Sequence, residues 1–238
     1  MVIHQEHRFL VDCGEGTQRQ ILRSGLGFKR LDKILITHSH LDHILGLGGL
    51  LSTFARWEAV NQLEIWAGES SLQRLRELIY GVVLRGGRIQ LQVELKELRA
   101  GLIVESDSFE LRAFPVTHRG SGCFGFVFTE KSRRPFLAEK ATALDVPIGP
   151  QRRDLVRGKS IALRDGRTVH PDDVLGPPRE GTKLVHVGDT SRTDDIAEYC
   201  HGADALVIEA TYLERDGELA RRFGHLTARQ AAGLAVEA

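Results

Sequence analysis

Ile36-Thr37-His38-Ser39-His40-Leu41-Asp42-His43 carries three imidazoles and a carboxylate within six residues. The apolar run at residues 34–36 predicts a buried strand, and the glycine-containing run at residues 45–51 predicts the start of a helix. The polar cluster should therefore occupy a strand-to-helix loop. Loops held by a rigid scaffold often carry reactive side chains, so this stretch indicates a functional site as well as an α/β fold.

The spacing of these side chains indicates a metal centre. His38 and His40 can point the same way from an extended backbone, whereas Asp42 and His43 lie past the bend and can face a second point nearby. Imidazole nitrogens and carboxylate oxygens suit zinc or a similar divalent ion. The absence of cysteine from the cluster argues against a closed structural zinc site.

Further segments along the chain resemble one family. The H-x-H-x-D-H pattern is that of the metallo-β-lactamase superfamily, and residues 10–18, Leu-Val-Asp-Cys-Gly-Glu-Gly-Thr-Gln, resemble the D-C-G-E-G-T-Q signature of ribonuclease Z, the tRNA 3′-processing endonucleases. Five later segments resemble motifs of that family in the same order: Val116-Thr117-His118, Gly125-Phe126-Val127-Phe128-Thr129-Glu130, Gly188-Asp189-Thr190, Glu209-Ala210-Thr211-Tyr212 and His225-Leu226-Thr227. The resemblance implies an α/β metallo-β-lactamase αββα sandwich with a protruding flexible arm, the exosite.

The resemblance also implies roles for individual residues. Six side chains are the implied ligands of two zinc ions: His38, His40 and His118 for one ion, Asp42 and His43 for the other, and Asp189 bridging both. Asp42 is in addition the candidate general base. His225 is the candidate general acid or phosphate contact, with Glu209 orienting its ring. Asp12, at the end of a predicted strand, is expected to hydrogen-bond the histidine loop.

The chain departs from the family pattern at two places. Family members usually begin with a further strand pair, whereas 11 residues precede Asp12 here. The family's last metal ligand is a histidine on a strand after the helix that follows His225-Leu226-Thr227, and this sequence stops at Ala238. We therefore expect either a fragment truncated at both ends or a second zinc site that lacks one protein ligand.

The composition of the chain is that of an ordinary globular protein. The 238 residues carry no net charge and three widely separated cysteines, Cys13, Cys123 and Cys200. So few cysteines make a disulfide framework improbable and favour a reducing compartment. No apolar run suggests a membrane span, and the N-terminus lacks the features of a signal peptide. A cytoplasmic location is therefore expected.

One stretch interrupts the alternation of strands and helices. We expect a single domain over residues 1–238. Residues 139–181 are rich in proline and have little periodicity, which is typical of a functional or disordered segment. Their position resembles that of the family's arm, so the resemblance implies that they are the inserted flexible arm. Gly149 and Pro150 resemble the glycine–proline motif of the family's arm, and Arg152, Arg153 and Arg157 follow them as further candidate substrate-binding residues.

The charge of the chain is unevenly distributed. Residues 131–167 contain ten basic and four acidic residues, a net charge of +6. The remainder of the chain therefore carries a net charge of −6. A basic patch that binds nucleic acid fits this asymmetry, and so does a solvated loop in which Lys and Arg are simply common.

The remaining patterns predict two sheets facing each other with helices outside. Strands are predicted at residues 8–12, 63–67, 89–98, 109–114, 124–128, 183–187 and 205–208. Helices are predicted at residues 70–84 from a serine cap, near residues 194–199, and from a capping box at Thr227 to the C-terminus.

The function implied by the resemblance is a zinc-dependent endoribonuclease that removes the 3′ trailer of precursor tRNA and leaves a 3′-hydroxyl, acting as a homodimer. Two alternatives stay open. The histidine cluster also fits a small-molecule hydrolase of the same superfamily, such as a phosphodiesterase, lactonase or sulfatase. The unassigned last ligand also fits a truncated, catalytically weak chain that keeps RNA binding.

Overall fold

The computed structural model describes residues 1–58, 60–86 and 91–238. The chain divides into two compact units. Unit 1 comprises residues 1–104, 111–128 and 183–238, and unit 2 comprises residues 105–110 and 129–182.

The first sheet is built from the N-terminal part of the chain. Its five strands lie in the order in which they occur in the sequence: β1 (Val2–His4), β2 (His7–Val11), β3 (Lys33–Leu35), β4 (Gln62–Ala67) and β5 (Gln92–Glu97). β1 and β2 form an antiparallel hairpin, and β2 to β5 run parallel. Parallel neighbours end at the same edge of the sheet, which brings the segments after β2 and β3 together.

The second sheet also has five strands, in the order β12-β11-β8-β7-β6. Its strands are β6 (Gly101–Glu105), β7 (Phe109–Pro115), β8 (Phe124–Glu130), β11 (Lys183–His186) and β12 (Ala205–Val207), with β9 and β10 belonging to unit 2. β11 and β12 are parallel, with Leu184 opposite Ala205. Residues 188–189 and 209 therefore follow neighbouring parallel strands.

The two sheets of unit 1 pack face to face. The rings of Phe9 and His4 lie 6.5 and 5.4 Å from the ring of Phe128 on the other sheet. Phe54 packs with the outer face of the first sheet, and Leu234 with that of the second. This arrangement is the predicted αββα sandwich.

Among the described residues of unit 1, seven helices complete the sandwich, and α5 to α7 belong to unit 2. They are α1 (Thr17–Arg23), α2 (Leu41–Ile44), α3 (Leu47–Trp57), α4 (Glu69–Arg76), α8 (Ala197–Cys200), α9 (Gly217–Phe223) and α10 (Ala228–Glu237). Thr227 caps α10 in the predicted capping box with Gln230. Within the described ranges no helix is both long and apolar enough to cross a membrane.

Unit 2 has secondary structure and a hydrophobic core of its own. It contains α5 (Ala138–Ala143), α6 (Pro150–Val156), α7 (Pro171–Val174) and the antiparallel pair β9 (Ile161–Ala162) and β10 (Thr168–Val169). Ala141, Val146, Leu155 and Val174 lie in its core. These elements are too short to show periodicity, so the sequence did not predict them.

Two predicted elements differ from the structure. The helix predicted from a serine cap at Ser70 begins instead after Gly68, and Ser70 Oγ donates to the carbonyl oxygen of Ser121. The helix continues as a π-helical segment at Glu77–Val83. The strand predicted at residues 89–98 is β5 (Gln92–Glu97), and residues 89 and 90 lie outside the described residues.

Candidate metal centre

The histidine loop connects β3 to α2. Residues 36–38 are buried, and the backbone is still extended at His40, where φ is −63° and ψ is 151°. The first turn of α2 then places Asp42 and His43 beside the preceding histidines. The sequence predicted this strand-to-helix loop but not α2, which is only four residues long.

Four of the predicted ligands converge on one point. One ligand atom from each of His38, His40, His118 and Asp189 lies within 4.8 Å of all the others. The nitrogen His40 Nδ1 lies 2.8 Å from His38 Nε2 and 3.4 Å from His118 Nε2. Tetrahedral zinc with bonds of about 2.0–2.2 Å needs ligand atoms about 3.3–3.6 Å apart, so the donor set fits one such ion after small shifts.

His43 and Asp42 form a second group next to the first. The Oδ2 atom of Asp189 lies 3.4 Å from His43 Nε2 and 3.7 Å from His38 Nε2. Asp42 Oδ2 lies 3.6 Å from the same nitrogen of His43, and the Asp42 side chain is 79% exposed. Asp189 therefore lies between the two groups, as a bridging ligand would.

Asp12 orients two of these rings. Its carboxylate accepts hydrogen bonds from Thr37 N (2.7 Å), from Thr37 Oγ1 (2.8 Å) and from His43 Nδ1 (2.8 Å). Because the single hydroxyl proton of Thr37 goes to Asp12, Thr37 Oγ1 accepts from His38 Nδ1 at 3.1 Å. The Nε2 atoms of both histidines are thereby left to face the centre, and the expected contact of Asp12 with the histidine loop is confirmed.

Two glycines allow the D-C-G-E-G-T-Q segment to lie against the histidine loop. A Cβ on Gly14 would lie 2.2 Å from the carbonyl oxygen of Asp42, and a Cβ on Gly46 would lie 1.9 Å from the carbonyl oxygen of Gly14. Both distances are far below van der Waals contact. The signature segment and the histidine loop therefore pack backbone against backbone.

Burial and charge set the protonation of the cluster. Burial and the charge of His43 lower the pKa of His38 to about 3, and burial lowers the pKa of His118 as well. Burial disfavours the charged form of His43, but its contacts with Asp12 and Asp189 raise its pKa to about 10. Burial likewise opposes the charge of Asp189, and the contact with His43 holds that pKa at about 2. His38 and His118 are thus neutral near pH 7 and have lone pairs for a cation.

The predicted pair of His225 and Glu209 lies at the edge of the cluster. His225 Nδ1 donates to Glu209 Oε1 at 2.9 Å and lies 3.8 Å from Asp189 Oδ2. Glu209 also accepts from the backbone of Thr190 (2.8 Å) and of Leu226 (3.2 Å). Its oxygens are thus already engaged by protein donors, which suits an orienting role better than a ligand role.

The predicted substrate-binding residues lie in unit 2. Gly149, with φ of 147°, precedes α6, which begins at Pro150. The guanidinium of Arg152 donates to the carbonyl oxygen of Val146 at 2.8 Å, while Arg153 and Arg157 are exposed. Arg152 therefore bonds the protein backbone, whereas Arg153 and Arg157 are exposed to solvent.

Sequence reasoning did not identify two other groups that contact the metal centre. The carbonyl oxygen of Gly224 accepts a hydrogen bond from His118 Nδ1 at 2.8 Å, which leaves His118 Nε2 for the centre. Arg74 on α4 donates to the carbonyl oxygen of Ser39, between His38 and His40, at 2.9 Å. Neither contact has a sequence signal, because each joins distant segments through a backbone carbonyl.

Comparisons with known proteins agree with this geometry. The chain is 46% identical over 229 residues to a protein of Bradyrhizobium diazoefficiens named ribonuclease Z. The match covers 96% of this chain and 76% of that protein. Human tRNase Z, short form, has a similar structure with a TM-score of 0.65 and 24% identity, over 99% of this chain and 79% of that one. The metallo-β-lactamase fold protein YhfI of Bacillus subtilis has a TM-score of 0.63 and 16% identity, over 99% and 72%.

A family model also matches the first part of the chain. Residues 1–139 match the family described as Anti-Pycsar protein Apyc1. That match includes His38, His40, His43 and His118 and stops before Asp189. The two structural neighbours establish the metallo-β-lactamase fold, and the sequence relatives establish the family over nearly the whole chain. The chain belongs to the ribonuclease Z family, and its residues 1–139 also belong to the sequence family described as Anti-Pycsar protein Apyc1.

Proposed function

We propose that this protein is a metal-dependent endoribonuclease that removes the 3′ trailer from precursor tRNA and leaves a 3′-hydroxyl on the tRNA. One observation carries the proposal: the cluster of His38, His40, His118 and Asp189 occurs in a chain 46% identical to a protein named ribonuclease Z. The fold alone would not select this function, because one fold can host many hydrolytic reactions.

Zinc in two positions is the proposed metal. His38, His40 and His118 would hold one ion, Asp42 and His43 the other, and Asp189 both. The second position has fewer imidazole ligands in this assignment, so its ion should be held more weakly. Bound there, the ions would lower the pKa of a water molecule and neutralise charge on the scissile phosphate.

Asp42 is the proposed general base. Its carboxylate is exposed and lies 3.6 Å from His43 Nε2, so it borders both solvent and the second metal position. A carboxylate at this place can hold the attacking water by a hydrogen bond and accept its proton as the bond to phosphorus forms.

His225 is the proposed general acid, and Glu209 is the residue that orients it. Because Nδ1 donates to Glu209 Oε1 at 2.9 Å, Nε2 is the nitrogen left to give a proton to the leaving 3′-oxygen. Glu209 is itself held by the backbone of Thr190 and Leu226, so the ring is fixed by two segments of unit 1.

Residues 139–181 are proposed to be the flexible arm that binds the tRNA, inserted in a single metallo-β-lactamase-like domain of residues 1–238. Three properties support the proposal: unit 2 has its own core, residues 131–167 carry a net charge of +6, and Arg153 and Arg157 are exposed. Exposed guanidiniums favour phosphate contacts. Gly149 and Pro150 would set the start of the exposed helix α6, and Arg152 would stabilise it from within.

A homodimer in the cytoplasm is proposed as the state in which the protein acts. Trp57 and Val82, at 57% and 70% exposure, are large apolar side chains on α3 and on the π-helical segment packed against it. Exposed apolar surface of this kind favours association with another protein surface.

Three buried cysteines without a disulfide are compatible with a reducing compartment.

A small-molecule hydrolase, such as a phosphodiesterase, lactonase or sulfatase, is the second candidate. The match of residues 1–139 to the Apyc1 family favours it, since that match covers four histidines of the cluster and ends before most of unit 2. A catalytically weak RNA-binding chain is the remaining alternative.

A two-substrate assay separates these candidates. We expect the zinc-loaded chain to cleave precursor tRNA at nanomolar enzyme and bis(p-nitrophenyl) phosphate much more slowly. Efficient turnover of the small diester without cleavage of tRNA would support the second candidate. Binding of tRNA without turnover of either substrate would support the third.

A further inference from the structure

Arginine side chains surround an aromatic ring beside the metal centre. Arg119 follows His118 directly, and Arg222 and Phe223 end α9 just before Gly224 and His225. The guanidinium carbons of Arg119 and Arg222 lie 5.7 and 5.5 Å from the centroid of the Phe223 ring. We call Arg119, Arg222 and Phe223 the arginine–phenylalanine patch.

The patch adjoins the metal centre through direct contacts. His118 Nδ1 donates to the carbonyl oxygen of Gly224 at 2.8 Å. A Cβ on Gly224 would lie 3.0 Å from Cγ of Arg119, so the aliphatic stem of Arg119 rests against the end of α9. The patch is therefore fixed to the segments that carry His118 and His225.

The charges of the patch are not neutralised by the protein. Within the described part of the chain, the exposed guanidiniums of Arg119 and Arg222 form neither an ion pair nor a hydrogen bond. Arg215, by contrast, lies 3.8 Å from Asp216 just before α9. A basic residue in the last turn of a helix is favoured by the helix dipole, which accounts for Arg222 but not for Arg119, which lies outside a helix.

We propose that the arginine–phenylalanine patch binds a backbone phosphate of the RNA substrate next to the scissile phosphate, a role that rests on the proposed function. Guanidinium groups match phosphate oxygens with two parallel hydrogen bonds. The Phe223 ring holds both guanidiniums by cation–π contact, which lowers the entropy lost on binding. A phosphate at the patch belongs to a neighbouring nucleotide, so the patch favours polynucleotides over small diesters.

Substitution of the two arginines tests the proposal. Arg119→Gln and Arg222→Gln remove the charge, and Arg215→Gln removes a charge just before the same helix, where the side chain already pairs with Asp216. We expect KM for precursor tRNA to rise roughly tenfold in each patch variant, as for a lost charge-assisted hydrogen bond. The slope of log affinity against log salt should become shallower by about 0.7–0.9 per lost phosphate contact. Arg215→Gln should match the wild type.

Two further variants separate binding from damage to the fold. Arg222→Lys keeps the charge and should recover part of the tRNA affinity, and Phe223→Leu should weaken tRNA binding without changing the salt slope. Unchanged KM and salt slope in both glutamine variants would overturn the proposed phosphate binding by the patch. The proposed function would still stand if the wild type cleaves precursor tRNA. An equal loss on tRNA and on bis(p-nitrophenyl) phosphate would also overturn it. If the wild type cleaves no precursor tRNA, the proposed function and the patch fail together.

Discussion

Asp12 orients two imidazoles of the candidate metal centre with one carboxylate. It accepts directly from His43 Nδ1, and it takes the hydroxyl proton of Thr37, which makes Thr37 Oγ1 an acceptor for His38 Nδ1. Both rings thus carry a proton on Nδ1 and point Nε2 at the centre. Metal ligands held in this way bind more tightly because the ring need not reorient.

Asp42→Asn tests the proposed general base against a plain ligand role. The substitution keeps shape and one coordinating oxygen but removes the group that accepts a proton. We expect turnover of precursor tRNA to fall by roughly two to four orders of magnitude, with the tightly held zinc retained. His43→Asn is the comparison, because it should weaken the second metal position and be partly rescued by added zinc or manganese. Rescue of Asp42→Asn by excess metal would show that Asp42 acts only as a metal ligand and not as the general base.

The pKa of His43 predicts the pH dependence of metal binding. Without an ion, contacts with Asp12 and Asp189 raise this pKa from 6.5 to about 10, so the ring is charged at pH 8 and must lose a proton to bind metal through Nε2. The affinity of the second position should therefore rise between pH 7 and pH 10, with release of about one proton at pH 8. Calorimetry in buffers of different ionisation enthalpy measures this proton.

Asp12→Asn provides the control for that measurement. Removal of the carboxylate eliminates a contact that raises the pKa of His43, so fewer protons should be released at pH 8. Equal proton release by the wild type and Asp12→Asn would contradict the assignment of the proton to His43. In the ion-free protein the same shift has a second consequence: the stability that His43 contributes is complete below about pH 6.5 and is lost as the pH rises through about 10.

The candidate metal ligands illustrate how far the sequence alone can predict a site. His38, His40, Asp42 and His43 lie within six residues, so their shared location follows from local geometry. His118 and Asp189 could be assigned only through family resemblance, because residue spacing does not reveal which strand ends meet. The hydrogen bond from His118 to Gly224 was not foreseen, since any residue supplies a carbonyl oxygen.

At the scale of secondary structure, strong patterns predicted the elements and weak ones did not. The capping box at Thr227 and the central strands were predicted because their signals are local and several residues long. β1 was missed because it is only three residues long, and β6 was missed because its short apolar run, residues 102–104, does not alternate with polar residues. The serine cap was wrong: Gly68 is the N-cap, and the hydroxyl of Ser70, inside the helix, donates to the distant Ser121.

Gly46→Ala tests the close packing of the signature segment on the histidine loop. The new Cβ would lie 1.9 Å from the carbonyl oxygen of Gly14, so the two segments must separate. We expect a loss of about 1–3 kcal/mol in the free energy of unfolding, together with weaker zinc binding. Thermal denaturation and metal analysis give the two readouts.

Gly48→Ala is the matched control, in the first turn of α3, the helix that Gly46 caps. Its Cβ would have Val83 Cγ2 as the nearest atom, at 3.8 Å, an ordinary contact. Because alanine is the better helix former, this variant should be as stable as the wild type or more so. If both variants behave alike, the segments are not packed as described.

For the whole molecule, the sequence predicted the αββα sandwich better than it predicted unit 2. Alternating strands and helices over most of the chain specify two layered sheets, and that prediction is confirmed. Unit 2 escaped prediction because its helices are four to seven residues long and its core is small. Short proline-containing elements acquire their structure from mutual packing rather than from periodic patterns.

Deletion of residues 139–181 tests the arm. We expect cleavage of precursor tRNA to fall at least a hundredfold relative to hydrolysis of bis(p-nitrophenyl) phosphate, because the arm variant loses phosphate contacts but keeps the metal residues. Arg153→Gln with Arg157→Gln should act in the same direction and flatten the salt dependence. Arg152→Gln should mainly lower the stability of unit 2, since its guanidinium bonds Val146. Equal losses on both substrates would mean that the segment is structural.

Mapping the ends of RNA products tests the central claim, that this metal centre cleaves precursor tRNA. The zinc-loaded protein is incubated with a precursor tRNA that carries a 3′ trailer, before and after chelation and reloading, beside His118→Ala. We predict one cut after the acceptor stem that leaves a 3′-hydroxyl on the tRNA and a 5′-phosphate on the trailer, lost on chelation, restored by zinc and absent in His118→Ala. Intact precursor with a folded, zinc-containing protein, or cleavage that survives chelation, would contradict the account.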